Sequence, residues 1–278
     1  MGSLQIGRNY SLLGLDAIVN DITLIAVGVA SVRTALSPAN TTLGTIGFGH
    51  LFSTPNAGIT YISPDFGGLT AAIGIFQPLD SLSVTGLSAS SSGSAKPAPG
   101  FQGQVKYKFG DAKGIGGFAS VSGLYQKHEL SAPGAGATLT DNNPTAIGAD
   151  FTGKIAYAGA ALVGHYYYGE GLGAYSYFIE GFSPTGKARI SQGGYIQATY
   201  TYDKTTLGAN YGISRLNKAD GDTDDSLIEK NSKYTVGIYH KLLANLTLTS
   251  EFTAAESKSH AGDKIKTSNY NVGFFISF

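Results

Sequence analysis

Over most of this chain, apolar residues alternate with small or polar ones at a period of two, in runs of about ten residues separated by Gly, Asn, Asp and Ser. That period puts successive side chains on opposite faces of an extended strand, so it constrains the fold more tightly than any single motif. At the end of the chain Tyr270, Val272, Phe274, Ile276 and Phe278 share one face, and Asn269, Asn271, Gly273 and Ser277 the other, with Phe275 an exception. Upstream, Leu246, Leu248, Phe252 and Ala254 alternate with Thr247, Thr249, Glu251 and Thr253. Tyr234, Val236 and Ile238 oppose Lys233, Thr235 and Gly237, while Leu207, Ala209, Tyr211 and Ile213 oppose Thr206, Gly208, Asn210 and Gly212. Phe101, Val105, Tyr107 and Phe109 likewise oppose Gln102, Gln104, Lys106 and Lys108. Further strands fit residues 3–10, 58–63, 68–77, 114–129, 145–157 and 160–170 and the stretch ending at Tyr202, for a total of 12.

Composition says where the apolar faces point. Only 14% of the residues are charged, against roughly 25% in an average soluble domain, which leaves little charge to keep a water-facing surface dispersed. The 19 basic and 19 acidic residues cancel, which disfavours a nucleic-acid partner because such proteins carry an excess of Lys and Arg. The absence of Cys excludes a disulfide scaffold, a thiolate metal site and a cysteine nucleophile. The longest apolar stretch, residues 22–32, is broken by Gly28 and falls short of a membrane helix. Residues 1–8 lack the basic region and apolar core of a signal peptide, so either a signal has been removed or the chain starts inside a longer protein.

The connections alternate in length. Short ones fall at residues 63–67, 110–113, 159, 203 and 244, and long ones at 11–57, 78–100, 130–144, 171–190, 215–232 and 256–266. Short turns at one end, long loops at the other and apolar side chains outward define an antiparallel transmembrane β-barrel, all-β, with about 12 strands in one domain spanning residues 1–278. Residues 80–100 are rich in Ser, Gly, Ala and Pro, the composition of a flexible loop. Asp220, Asp222, Asp224 and Asp225 lie close together but do not meet a calcium-loop pattern, and a solvated acidic loop is the plainer account.

Chemistry-bearing motifs are mostly missing. No phosphate-binding loop, zinc-protease helix or nucleophile elbow is present, and the five histidines are dispersed, which implies neither cofactor nor metal. His165, beside Tyr166–Tyr168, reads as part of an aromatic cluster at a lipid boundary. The 47-residue excursion at 11–57 is more informative, because Leu12, Leu13, Leu15, Ile18, Val19 and residues 22–29 need something to pack against. Folded back into the barrel, it buries them on the inner wall and turns Asp16 and Asp21 toward a central opening. Lys106, Lys108, Lys154, Lys233 and Lys241 then face that opening from the other side as pore-lining candidates, with Glu251 on the same inward parity.

These segments resemble a known family. The run Leu4-Gln5-Ile6-Gly7-Arg8-Asn9-Tyr10 resembles the strand before the constriction loop of general Gram-negative bacterial porins, and Ile59-Thr60-Tyr61-Ile62-Ser63-Pro64-Asp65-Phe66-Gly67-Gly68-Leu69 resembles the hairpin that follows it. Residues 206–214, Val236-Gly237-Ile238-Tyr239-His240-Lys241-Leu242 with the Asn245-Leu246-Thr247-Leu248 hairpin, and the terminal residues 272–278 are similar to the family's closing strands. The resemblance implies 16 strands in the complete family fold, of which this chain matches the last 12. It also implies that Arg8 is a basic constriction residue, although Leu4, Ile6 and Arg8 share parity, and that Phe278 is the signal read by the outer-membrane assembly machinery. For Arg33, later in the excursion, Asp16, Asp21 and a lipid head group are alternative partners.

The expected function is an outer-membrane porin, a water-filled channel for passive diffusion of small hydrophilic solutes or ions, without cofactor or catalysis. Its partners are outer-membrane lipids and lipopolysaccharide, and a homotrimer is implied by the family, with small residues at 69–75 offering a flat contact. Residues 3–10 either pair with 268–278 to close a narrow 12-strand ring, or the chain is a fragment lacking four strands. The competing functions are a non-conducting structural or adhesive barrel and, further off, a barrel lipid hydrolase.

Overall fold

A computed structural model describes residues 1–26, 28, 43–82, 92–95, 98–111, 114–131 and 138–278. The strands are β1 (Ser3–Tyr10), β2 (Pro55–Ile62), β3 (Leu69–Phe76), β4 (Ser92–Ala95), β5 (Gly100–Phe109), β6 (Gly116–Lys127), β7 (Glu129–Ser131), β8 (Thr145–Tyr157), β9 (Ala160–Glu170), β10 (Ile190–Tyr202), β11 (Thr205–Leu216), β12 (Ile228–Leu243), β13 (Leu246–Ser259) and β14 (Lys264–Ile276). Twelve of them form one sheet, each bonded to its neighbour along the chain, while β4 and β7 make a separate antiparallel pair. The antiparallel meander follows from the turns, since strands joined by a few residues have no other partner within reach. Between β8 and β9 the two turn residues Ala158 and Gly159 both take positive φ, 47° and 86°, the primed-turn geometry whose twist matches that of a hairpin.

The faces divide as the alternation demands. Ile73, Val121, Ile147, Ile196, Leu207, Tyr234 and Val236 are exposed on the outer face, while Gln102, Ser120, Ser122, Asp150, Thr152, Gln197, Asn210 and Thr235 are buried on the inner one. This inverts a water-soluble sheet, and hydrocarbon is the medium in which the inverted order is stable.

Several expectations change. Residues 92–95, inside the segment expected to be a flexible loop, form β4 and pair with β7, two strands beyond the 12 expected. Connection 256–266 shrinks to residues 260–263, because β13 and β14 extend beyond the apolar run through Lys258↔Lys264, with polar side chains on both faces; hydrophobicity marks only the lipid-facing length of a strand, not its end. The pairing of residues 3–10 with 268–278 is also not made: among the described residues β1 bonds β2 and β14 bonds β13, and both are edges of the sheet.

Two segments fold into the interior. Residues 11–26 form a short helix α1 (Leu15–Asn20) and a 3-10 turn (Ile22–Ile25). Residues 171–189 fold over them, and Leu13 and Leu51 pack with Leu172, Tyr177, Phe178 and Phe182 against Leu124, Ala146 and Tyr167 of the wall. This inward fold of 171–189 was not foreseen, as the segment reads as an ordinary loop.

Candidate functional site: the excursion and its clamps on the inner wall

From Leu12 onward the excursion is tied to inward side chains of several strands of the wall. Gln102 on β5 accepts from the amides of Leu12 and Leu13 at 2.8 and 3.0 Å. Asp150 on β8 accepts from the amide of Gly14 at 2.7 Å and from Ser122. The Tyr195 hydroxyl on β10 donates to the Ala17 carbonyl at 2.7 Å. Gln197, two residues on, donates to the Asn20 carbonyl at 2.8 Å and accepts from the Ile22 amide at 2.9 Å, spanning the break between α1 and the 3-10 turn. A short helix leaves unpaired backbone groups at both ends, and here the wall's amide and carboxylate groups satisfy them. Gly212 on β11 lets the chain come this close, because a Cβ there would strike the Phe48 carbonyl.

The far part of the excursion carries the densest charge. Asp21 caps the 3-10 turn by accepting from Thr23, while its second oxygen accepts from the Thr45 amide at 2.6 Å and faces His50 Nε2 at 3.3 Å. Lys233 on β12 donates to the Gly44 carbonyl at 2.8 Å and to the Thr23 hydroxyl at 3.1 Å. Glu251 on β13 accepts from the Gly28 amide at 2.9 Å and from the Tyr239 hydroxyl at 2.5 Å. Burial alone would raise the Asp21 carboxyl pKa, but the His50 hydrogen bond, the charges of Lys233 and His50 and the Thr23 bond outweigh it and hold it below the ordinary range.

A carboxyl lowered in this way stabilises the folded state fully above its unfolded value of 3.8 and loses that contribution as pH falls below it. The excursion is therefore expected to stay docked at pH 5 and to loosen under stronger acid, read as lower amide protection factors, each taken against the intrinsic exchange rate at that pH, within residues 11–26 when folded protein is moved from pH 5 to pH 3; equal protection factors at both would contradict it.

The candidates read from sequence are separated by the structure. Lys233 and Glu251 are each only 1% exposed, and Asp21 4%, so these charges are sealed between wall and excursion rather than facing an opening. Asp16 is also buried and meets Lys106 directly at 2.5 Å, not across a gap. Lys154 donates to the Asn20 side-chain oxygen at 3.4 Å, and Lys108 and Lys241 share inward register but are exposed near the short-turn end. Arg8 pairs with Ala57 on the face of Leu4 and Ile6, because β1 and β2 align without a bulge and nothing redirects its side chain. Phe278 is exposed beyond the end of β14, and Arg33 lies outside the described residues.

Two plain readings also need revision. His165 is buried on the inner face, 2.9 Å from the Thr152 hydroxyl, edge-on to His50 and tilted against Tyr195, because it is out of phase with the exposed Tyr166 and Tyr168. In the acidic loop Asp222 is buried against Arg189 at 2.7 Å, and Asp220 pairs with Lys187 at 2.7 Å. The clamps at Asp150, Tyr195, Gln197 and Asn231, whose side-chain amide donates to the Gly47 carbonyl at 3.0 Å, were missed. Inward parity is their only sequence signal, and they share it with many residues that touch nothing on the excursion.

An antiparallel sheet with lipid-type side chains outside and a clamped excursion inside defines the wall of an outer-membrane channel. A profile of the Gram-negative porins matches residues 1–260, and the chain belongs to that family. Among solved structures it is similar to the outer-membrane channel DcaP of Acinetobacter baumannii, with a TM-score of 0.74 and 13% identity over 99% of this chain and 72% of that one. The anion-selective porin from Comamonas acidovorans superposes with a TM-score of 0.58 and 15% identity, covering 100% and 74%. Salmonella typhi OmpF in complex with daunomycin does so with a TM-score of 0.59 and 14% identity, covering 99% and 75%. No curated protein is matched by the sequence. As a porin the chain is an integral protein of the outer membrane, a channel for passive diffusion and not an enzyme.

Proposed function

We propose that this chain supplies most of the wall and the constriction of a closed, water-filled barrel that passes small hydrophilic solutes down their gradient. The observation carrying this reading is the set of clamps from Gln102 on β5 to Glu251 on β13, which holds the described residues of the excursion inside the trough of the sheet, where they narrow the lumen without filling the short-turn end. Lys106, Lys108, Lys154 and Lys241 then line the aqueous path, Asp16 stands at its edge and Arg8 flanks the seam. Closure is required, since the unpaired edges of β1 and β14 would each present a row of backbone groups to hydrocarbon. Lipopolysaccharide and lipids contact the outer face, the assembly machinery reads Phe278, and three copies associate through outer faces such as β3.

Planar-bilayer recording of the refolded chain tests the proposal. Stable, discrete conductance steps are expected in the presence of salt. Protein shown to be folded that carries no current would favour the non-conducting structural barrel, a reading that the apolar packing of 171–189 over the excursion also supports. Cysteine pairs, one in β1 and one in β14, report closure in a chain that has no native Cys.

A further inference from the structure

At the short-turn end, beneath α1, the inner wall encloses an open cavity of about 710 Å³. Its lining includes Lys106, Lys108 and Lys154, and the one carboxylate among its described lining residues, Asp111, is engaged in its own turn by the Gly114 amide at 2.7 Å. Register brings these lysines together: Phe118 on β6 lies directly between Lys108 on β5 and Lys154 on β8, and Lys106 stands 4.2 Å from the centre of the Phe118 ring. Three lysines thus gather about one aromatic residue of the cavity lining.

Above them α1 offers only acceptors. Asp16 places one oxygen 2.5 Å from Lys106 Nζ and the other 3.3 Å from Gln104 Nε2, and one helical turn later Asn20 places its side-chain oxygen 3.4 Å from Lys154 Nζ. A carboxylate held by a lysine and an amide donor at the edge of a lysine-lined cavity occupies the position that a free oxyanion would take.

We infer that this vestibule is a binding subsite for small oxyanions, carboxylate or phosphate, and that Asp16 is a tethered competitor which sets how strongly it holds them. With Asp16 present Lys106 is neutralised, and Lys108 and Lys154 attract the solute. Without it all three act together. The subsite deepens the channel reading by naming the solute class it favours, and it can be read with or without current.

The test uses the full chain, its Asp16→Asn variant and Lys108→Gln, which removes a vestibule charge that makes no contact with the described residues of the excursion. Inorganic phosphate and acetate are titrated against chloride current. Phosphate is expected to reduce current at roughly fivefold lower concentration in Asp16→Asn, the size expected for one unit charge at about 4 Å in water, and at higher concentration in Lys108→Gln. Acetate responding like phosphate identifies a general oxyanion subsite, and phosphate alone a phosphate subsite. Equal block in all three proteins overturns the inference while leaving the channel intact. Should folded protein carry no current, calorimetric titration of phosphate in detergent decides: tighter binding by Asp16→Asn supports the subsite, and identical heats overturn it.

Discussion

Lys233→Met is expected to detach the excursion at 11–57 from the wall while leaving the strands folded. The methionine keeps the apolar stem and removes an ammonium that is 1% exposed and donates to Gly44 and Thr23. Asp21 and Glu251 then lose the positive charge lying between them. Removing one partner from a buried set of charges costs about 3–5 kcal/mol, most of it the penalty of the charges left behind. Thermolysin should cut within 11–57 in the folded variant and not in the parent, with unchanged strand content by circular dichroism. Channel current, where it is recorded, should become noisy. Asp21→Asn in the same chain should restore part of the protection, because the two changes remove opposite charges from one contact network and are not additive. Equal resistance of Lys233→Met and the parent would show that the clamp lies elsewhere.

The second large effect is expected at Arg189→Met. Its guanidinium is fully buried, 2.7 Å from Asp222 and 3.3 Å from Glu180, and it also donates to the Glu180 carbonyl at 3.1 Å. These bonds join the inward segment 171–189 to the acidic loop after β11. Without the guanidinium, Asp222 is a buried carboxylate that has lost its counter-charge, again a loss of about 3–5 kcal/mol. The segment should lift and uncover Leu172, Phe178 and Phe182, so thermolysin should cut within 171–189 in the folded variant and not in the parent. Asp222→Asn keeps a hydrogen-bond acceptor beside the guanidinium and should lose less. Resistance equal to that of the parent in Arg189→Met would place the hold of this segment in its apolar packing alone.

Much of the fold is legible in the sequence because lipid-facing strands state their identity locally. Val121, Ile147 and Ile196 sit outward for the reason their neighbours Ser122, Ala146 and Gln197 sit inward: adjacent residues of a strand point apart. The bounds of β1 and the hairpin after β8 follow from the same local rule and from turn chemistry. The strand extensions past Ala254 and before Ser268 were hidden, since strands that rise beyond the lipid need no apolar face. His165 and Asp222 were misread for one reason. Both were judged by neighbours in sequence, and both are placed by partners far along the chain, Thr152 and Arg189.

The sequence by itself determined the twelve strands of the main sheet, the meander, the outward face and the presence of an excursion too apolar to remain in water, since each depends on residues close together along the chain. Only the tertiary structure decided which inward charges serve the wall and which serve the path. Lys233 and Lys241 show why. They lie on one strand with the same parity, yet one is sealed under the excursion and the other is exposed near the short turns. Periodicity specifies a face and carries no information about height. Height matters here because the route of the excursion across the trough, fixed by long-range bonds to Gln102, Asp150, Tyr195 and Gln197, decides which part of each inward face it covers.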